Sequence, residues 1–406
     1  MTTARRQIVI LGGGYGGLMS ALRLAGKMRR ERPEITLVNG SATFVERIRL
    51  HQVAAEQRGR ERSISGLLKG TGVGFVQGWV RRLDAAAQRV LVETADGVRE
   101  LAYDYLVYGL GSFPDVTATA GVREHGYTLS ASGARSAAAL GAELPAVAAA
   151  GGRLLVVGGG LSGIEAAAEL AERYPGLRVT LATRGGFGEA LSAAGRAHVR
   201  QVLEGLGVTV RDQCTIQRVE ADAAVCGDGE RLGFERLLWT AGFRVPEVAR
   251  EAGLTVNKHG QIVVDGYLRS VSHPTIVAVG DSAAAAPQGV RLRMACATAL
   301  PMGAQAADYL AAVLRDETPT PFRFGYLIRC VSLGRGEGLV QTVDSYDQPR
   351  ARILRGRQAV WIKELICRST VYGLLMERYW PGSYWWPQPQ LKAAAASVGQ
   401  TSYTEG

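Results

Sequence analysis

Apolar and polar positions fall into a pattern that occurs twice. The β-favouring run Gln7-Ile8-Val9-Ile10-Leu11 leads into a cluster of glycines and then into a helical stretch over about residues 16–30. Pro33 follows, and then a second short apolar run, Ile35-Thr36-Leu37-Val38. The same order returns with Arg153-Leu154-Leu155-Val156-Val157, a second glycine cluster, a helical stretch over about 162–173, Pro175-Gly176 and Arg178-Val179-Thr180-Leu181-Ala182. Helix breakers stand where each helix should stop. Strands and helices alternating over short connections predict parallel sheets covered by helices.

Between the two units lie further strand-like pieces, 74–78, 89–93 and 104–108, with the turn signal Asp96-Gly97 among them. The alanine-rich stretch 137–152 predicts a helix leading into the second unit, and Thr275-Ile276-Val277-Ala278-Val279 predicts a late strand. Composition changes near Pro321. Beyond it Trp361, Leu365, Tyr372 and Met376 recur at near-helical spacing, interleaved with Lys363, Glu364, Arg368, Glu377 and Arg378. This suits either a helix packed on the body of the protein or one lying in a membrane interface. The aromatic cluster Trp380-Pro381-Gly382-Ser383-Tyr384-Trp385-Trp386 fits an interfacial belt or a lid, and a mobile tail is expected from Lys392.

The glycine clusters carry the chemistry. Gly12, Gly14 and Gly17, with Tyr15 and Gly16 between them, and then Gly158, Gly160 and Gly163, with Ser162, each form G-x-G-x-x-G between a strand and a helix. The first glycine permits the tight turn, the second lets backbone approach a pyrophosphate, and the third lets helix and strand pack closely. Free N–H groups at the helix start then favour the anion. One copy is a weak signal; two in context predict two dinucleotides, between which electrons pass. The next strand usually ends in an acid that accepts bonds from the ribose hydroxyls. Here Asn39 stands at the first site and Thr183-Arg184 at the second. No acid repels a 2′-phosphate at the second site and Arg184 can pair with one, which tilts it towards NADPH.

Composition narrows the class. The chain has 406 residues, 47% hydrophobic, with 52 glycines, as befits a turn-rich α/β protein of two or three domains. Charges interrupt every long apolar stretch, so no membrane-spanning run is expected. No signal-peptide core precedes the first strand. Cys214, Cys226, Cys296, Cys330 and Cys367 are scattered and odd in number, which indicates neither a disulfide framework nor a zinc site. The expectation is a reduced, cytoplasmic protein without a metal. Net charge is +10, and the eleven Lys/Arg against six Asp/Glu from residue 321 onward supply half of the excess. A solvated basic face accounts for this; attraction to an anionic membrane, an acidic partner or an anionic substrate is the alternative. No nucleic-acid motif is present.

These residues resemble the two-dinucleotide flavoproteins comprising type II NADH dehydrogenases and related NAD(P)H–FAD oxidoreductases. Tyr103 to Ser112 is similar to that family's crossover segment, 158–165 to its nicotinamide motif and Trp239 to Gly242 to its return crossover. Thr275 to Asp281 is similar to its second FAD motif, and Pro301 to Ala307 to the helix start under the flavin. The resemblance covers about residues 5–345. It implies an α/β fold of two Rossmann-like dinucleotide-binding domains plus a C-terminal α+β segment. The implied layout is 1–115 and 245–320 as the two parts of an FAD domain, 116–244 as an NAD(P)H domain, and 321–406 as the C-terminal segment. It implies FAD at the first site, held by Gly12, Gly14, Tyr15, Gly16, Gly17, Asn39, Gly111, Gly280, Asp281 and Ala304. It implies NAD(P)H at the second, held by Gly158, Gly160, Ser162, Gly163, Thr183, Arg184 and Gly242. Asp281 would bond a ribityl hydroxyl, and Ala304 and Gln305 would face the flavin's pyrimidine edge. Glu165 would lie where nicotinamide and flavin meet, making Glu165 and Gln305 the candidate catalytic residues.

Two departures qualify the likeness. The cysteine pair of disulfide-reducing cousins is missing, and Tyr309 stands where the dehydrogenases usually carry a second Gln or Glu. Cys296 and Cys330 are expected to be buried structural cysteines. The expected activity is transfer of hydride from NAD(P)H to FAD and of electrons onward to a quinone or quinone-like small molecule. A specialised oxidoreductase acting on an aromatic metabolite, and a flavoprotein sensing NAD(P)H without turnover, are the alternatives. Peripheral membrane contact at the inner face through the C-terminal segment, and a homodimer, are compatible with this reading.

Overall fold

The computed structural model describes residues 5–57, 61–131 and 133–388. The tail expected from Lys392 lies outside them. Five parallel strands form the first sheet, in the order 276–278, 105–108, 7–11, 34–39, 74–77. Five more form the second, in the order 126–128, 236–239, 153–157, 178–182, 209–211. The first sheet thus recruits a strand from late in the chain. The glycine-carrying strands Gln7–Leu11 and Arg153–Val157 are central in their sheets and buried but for their first residues, as strands covered on both faces should be.

Each glycine turn opens a helix: α1 (Tyr15–Lys27) and, in the second unit, α3 (Leu161–Arg173). Between them comes the short α2 (Leu50–Ala54), and after them α4 (Ala193–Gly205). The long α5 (Cys296–Leu314) lies against α1. A Cβ at Gly303 would stand 2.2 Å from Gly16 O, and the Ser20 hydroxyl donates to both Gly16 O and Gly303 O. Two helices approach this closely only where glycine leaves room.

The last segment is a three-stranded antiparallel sheet, Ile328–Ser332, Gly338–Val343 and Pro349–Arg355, followed by α6 (Gly356–Tyr379). α6 buries Ala359, Cys367, Val371, Leu374 and Glu377 against the body. The stripe read from the sequence, Trp361, Leu365, Tyr372 and Met376, faces outward instead, and Trp361 is 76% exposed. Arg23 of α1 anchors the helix end by pairing with Glu377 at 2.9 Å and with Asp308 at 2.8 Å.

One cysteine expectation is overturned. Cys214 and Cys226 form a disulfide, their Cα atoms 5.6 Å apart. Cys214 precedes the hairpin Ile216–Val219/Ala223–Cys226 and Cys226 ends it, so the hairpin folds them together; spacing alone does not reveal such a contact. Cys226, Asp228 and Glu230 converge, but that sulfur is committed to the bridge and Glu230 pairs with Arg211. Cys296 and Cys330 are half-buried and Cys367 buried. Burial pushes the thiols of Cys296 and Cys330 up to about 11, so both are neutral at pH 7.

Candidate active site

The two glycine loops share one construction. Gly12 has φ +97° and Gly158 φ +128°, values that L side chains rarely adopt. A Cβ at Gly17 would meet Gly12 O at 1.8 Å, and one at Gly163 would meet Gly158 O at 1.9 Å. Around the middle glycines, Gly14 and Gly160, the Cβ position has no neighbour within 4 Å. These are the helix N-caps, and neither has a side-chain cap. The first-turn amides therefore open onto a cradle at the carboxyl end of each sheet, shaped and polarised for a diphosphate.

What backs the loops differs. Asn39 Oδ1 accepts from Gly13 N at 2.8 Å, and its Nδ2 donates to Ser41 O at 2.8 Å. Asn39 thus braces the turn, keeping one lone pair and one amide hydrogen for a ribose. At the second loop, Thr183 is buried, and its Oγ1 lies 2.4 Å from the Cβ position of Gly159. Arg184 is exposed, as is Ser162 at the start of α3.

Asp281 sits where the crossover from the first sheet arrives. The Ser112 hydroxyl donates to its Oδ2 at 2.6 Å, Arg47 lies at 3.3 Å from the same oxygen, and Gly111 N donates to Ser282 Oγ at 2.7 Å. Gly111, Gly280 and Asp281 are thereby brought together. Arg47 was missing from the sequence reading; nothing in its local pattern marks it. The two crossovers meet as well, with Phe113 opposite Arg244 and Pro114 opposite Phe243 in an antiparallel pair. Gly242, with φ +77°, turns the second into place, its carbonyl accepting from Asp115 N.

Two expectations about α5 need correction. The helix starts at Cys296, so Ala304 and Gln305 lie in its interior and offer no free backbone N–H. Both are buried, and Gln305 spends its side-chain amide on Thr320 O at 2.7 Å. Pro301, read as a helix start, is tolerated inside the helix. At that end Thr298 N and Ala299 N already donate to Ala295 O, so the open donors are the amides before them. Tyr309 is buried beside Tyr267 and Arg269.

Glu165 lies in the first turns of α3 and points into the C-terminal segment. Lys363 of α6 reaches its Oε1 at 2.8 Å, Ser332 N donates to the same oxygen at 3.1 Å, and His51 Nδ1 stands 4.0 Å from Oε2. The Ser332 hydroxyl lies 3.4 Å from both His51 Nε2 and Glu165 Oε1. Burial alone would raise the Glu165 carboxyl; Lys363, His51 and the Ser332 amide outweigh it and hold it below the usual range. Burial opposes the charge on Lys363 too, but Glu165 raises the ammonium above its ordinary value. The pair is an ionised carboxylate and ammonium sealed between the second sheet's helix and the C-terminal segment. The sequence pattern marks Glu165 and shows Lys363 only as a charge in a helical stretch; His51 carries no local signal. Their meeting depends on how α2, α3 and α6 pack.

The profile of pyridine nucleotide-disulphide oxidoreductases matches residues 6–307. The chain belongs to that family. It is 31% identical over 357 residues to the demethylphylloquinone reductase NdbB of Synechocystis, covering 82% of this chain and 86% of that protein. It is 28% identical over 389 residues to an NADH dehydrogenase-like protein of Mycobacterium tuberculosis, covering 90% and 94%. Its fold is similar to that of NDH2 from Plasmodium falciparum, solved in complex with NADH, with a TM-score of 0.75 at 14% identity over 93% of this chain and 99% of that one.

Proposed function

We propose that this protein is an FAD-dependent NAD(P)H oxidoreductase that passes electrons to a quinone-type acceptor. The observation that carries the reading is the pair of open diphosphate cradles, one per parallel sheet, whose crossovers pair with one another. Relatives named as a demethylphylloquinone reductase and an NADH dehydrogenase-like protein support it. Residues 12–17 would hold FAD, with Asp281 on a ribityl hydroxyl. A groove of about 860 Å³ lined by Gly40, Gln77, Trp79 and Glu93 continues from Asn39 and would take the adenosine end. Residues 158–163 would hold the nicotinamide cofactor. When bound, FAD supplies the two-electron relay between nicotinamide and acceptor.

The chain's own residues supply position and a fixed charge. The two helix starts fix the diphosphates, and orientation contributes more to hydride transfer than a strong base does. Lys363, held charged by Glu165, keeps a fixed positive charge on the side of the C-terminal segment. The exposed stripe Trp361, Leu365, Tyr372 and Met376, ending in Tyr379 and Trp380, would rest on a membrane surface that holds a lipid-soluble acceptor. No helix among the described residues is long and apolar enough to cross a membrane.

Stopped-flow mixing of the FAD-loaded protein with NADH or NADPH, followed by quinones of graded chain length, tests this. Rapid bleaching of the flavin and its recovery on quinone addition are expected. A bleached flavin that no quinone reoxidises faster than air would overturn the quinone assignment and favour the sensor reading.

A further inference from the structure

The loop after strand Arg178–Ala182 carries arginine where a ribose-binding acid usually stands. Resting on the nicotinamide site proposed above, we infer that this protein selects NADPH over NADH, and that Arg184 and Arg196 receive the 2′-phosphate.

Thr183 ends the strand and fills the space against Gly159, where a carboxylate would otherwise take both ribose hydroxyls and repel a phosphate. The next side chain, Arg184, is exposed and enters no ion pair among the described residues. Arg196, in the first turn of α4, packs its Cγ 3.7 Å from the Cβ position of Gly188, whose N–H donates to Gly159 O. Its Nε is buried without a hydrogen-bond partner, and it too has no ion pair among the described residues. An unpaired buried guanidinium nitrogen costs stability unless a ligand satisfies it.

Two of the three acids nearby already have cations, and the third, Glu189, caps a loop amide. Glu189 Oε1 accepts from Gly186 N at 2.7 Å, Asp212 Oδ1 accepts from Phe187 N at 2.7 Å while pairing with Arg200, and Glu230 holds Arg211. The loop is also rigid. Thr183 N donates to Arg211 O, Cys214 N to Thr183 O and Gln213 N to Gly185 O, and Cys214 is tied to Cys226. Two guanidiniums without carboxylate partners among the described residues, Arg184 on a loop clamped from behind and Arg196 on the helix after it, would make a preorganised dianion site. Arginine's planar fork suits phosphate oxygens.

The test is calorimetric titration of the FAD-loaded protein with adenosine 2′,5′-bisphosphate and with adenosine 5′-monophosphate, which differ only in the 2′-phosphate. The bisphosphate should bind tighter by on the order of tenfold or more. Arg184→Ala, a change at an exposed position, should remove most of that difference while leaving the monophosphate unchanged, and Arg196→Met should remove part of it. In steady state the preference for NADPH over NADH in kcat/KM should fall in parallel. Equal affinity for the two probes, or equal loss of both in Arg184→Ala, would overturn the inference and leave the oxidoreductase reading intact. Failure to bind either probe, with no flavin reduction by either nicotinamide, would overturn both.

Discussion

The two glycine turns are near copies in backbone and opposites in surroundings. Counted from the first glycine, Met19 of α1 stands where Glu165 stands in α3, and Arg23 where Glu169 stands. Met19 is buried among apolar residues, whereas Glu165 is buried with Lys363, Ser332 and His51. Arg23 locks α1 to α5 and α6 through Asp308 and Glu377; Glu169 takes Gln57 at 2.6 Å and Arg335 at 2.7 Å, one of them well exposed. Both units thus meet the C-terminal segment through buried charge, but in the first it lies a turn deeper in the helix, at Arg23, while in the second it begins at Glu165, close to the glycine turn. A turn followed by apolar side chains suits a resident cofactor, and one followed by ionisable groups suits a nucleotide that exchanges.

The sharpest way to break this division is to place one methyl group in each turn. Gly17→Ala and Gly163→Ala create the same overlap, with a carbonyl 1.8 or 1.9 Å from the new Cβ. Gly163→Ala should purify yellow, with its flavin reduced by NAD(P)H slower by roughly 100-fold or more, because displacing a bound reactant by about an ångström costs that much. Gly17→Ala should purify without flavin. Absorbance of the purified proteins and stopped-flow reduction decide it; loss of flavin from both, or normal reduction in Gly163→Ala, would dissolve the distinction.

Next in size is the contrast between Met19 and Glu165. Removing one partner of a buried ion pair leaves the other uncompensated, at a cost of about 3–5 kcal/mol. Glu165→Gln and Lys363→Met should each lower stability by that amount in urea unfolding of the FAD-loaded protein. The double variant should recover most of the loss. Met19→Leu, a volume-conserving change, should cost less than about 1.5 kcal/mol. Additive losses in the double variant would mean that Glu165 and Lys363 do not depend on each other.

Much of this frame was legible in the residues. The two strand–glycine–helix units emerged close to their final bounds, because period and glycine placement are local properties. The α5 start was misplaced by several residues, since Pro301 reads as a helix beginning and only tertiary packing keeps it inside. The outward stripe on α6 was read correctly as helical, but periodicity cannot say which of two apolar faces turns inward; Val371 and Leu374 won because small Gly373 and Ala359 accompany them. The Cys214–Cys226 bridge spans a single hairpin, yet its spacing carries no local sign of it; the meeting of Glu165 with Lys363 and His51 was hidden because it joins elements distant in sequence. Arg47 escaped for the same reason, reaching Asp281 across the gap between two strands' loops.

The smallest effect concerns His51, and it separates the two units by pH. Burial pushes the imidazole down to about 4, and although Glu165 opposes this, Lys363, Arg335 and Arg49 add to it. In the unfolded chain the same group titrates near its ordinary 6.5. Between these values the unfolded state binds a proton that the folded state refuses, so stability falls as pH drops. The slope approaches about 1.4 kcal/mol per pH unit, for a total near 3 kcal/mol by pH 4. Glu165, whose folded value is depressed, adds its own loss only further down, as pH falls through that value. Nothing equivalent borders Met19. The urea midpoint of the wild type should therefore drop between pH 6.5 and pH 5 more steeply than that of His51→Gln, all other titrating groups being common to both. Parallel curves would show that the imidazole takes up its proton inside the folded protein. The second unit's interior would then be open to solvent protons at His51, and the contrast with the first would rest on Glu165 and Lys363 alone.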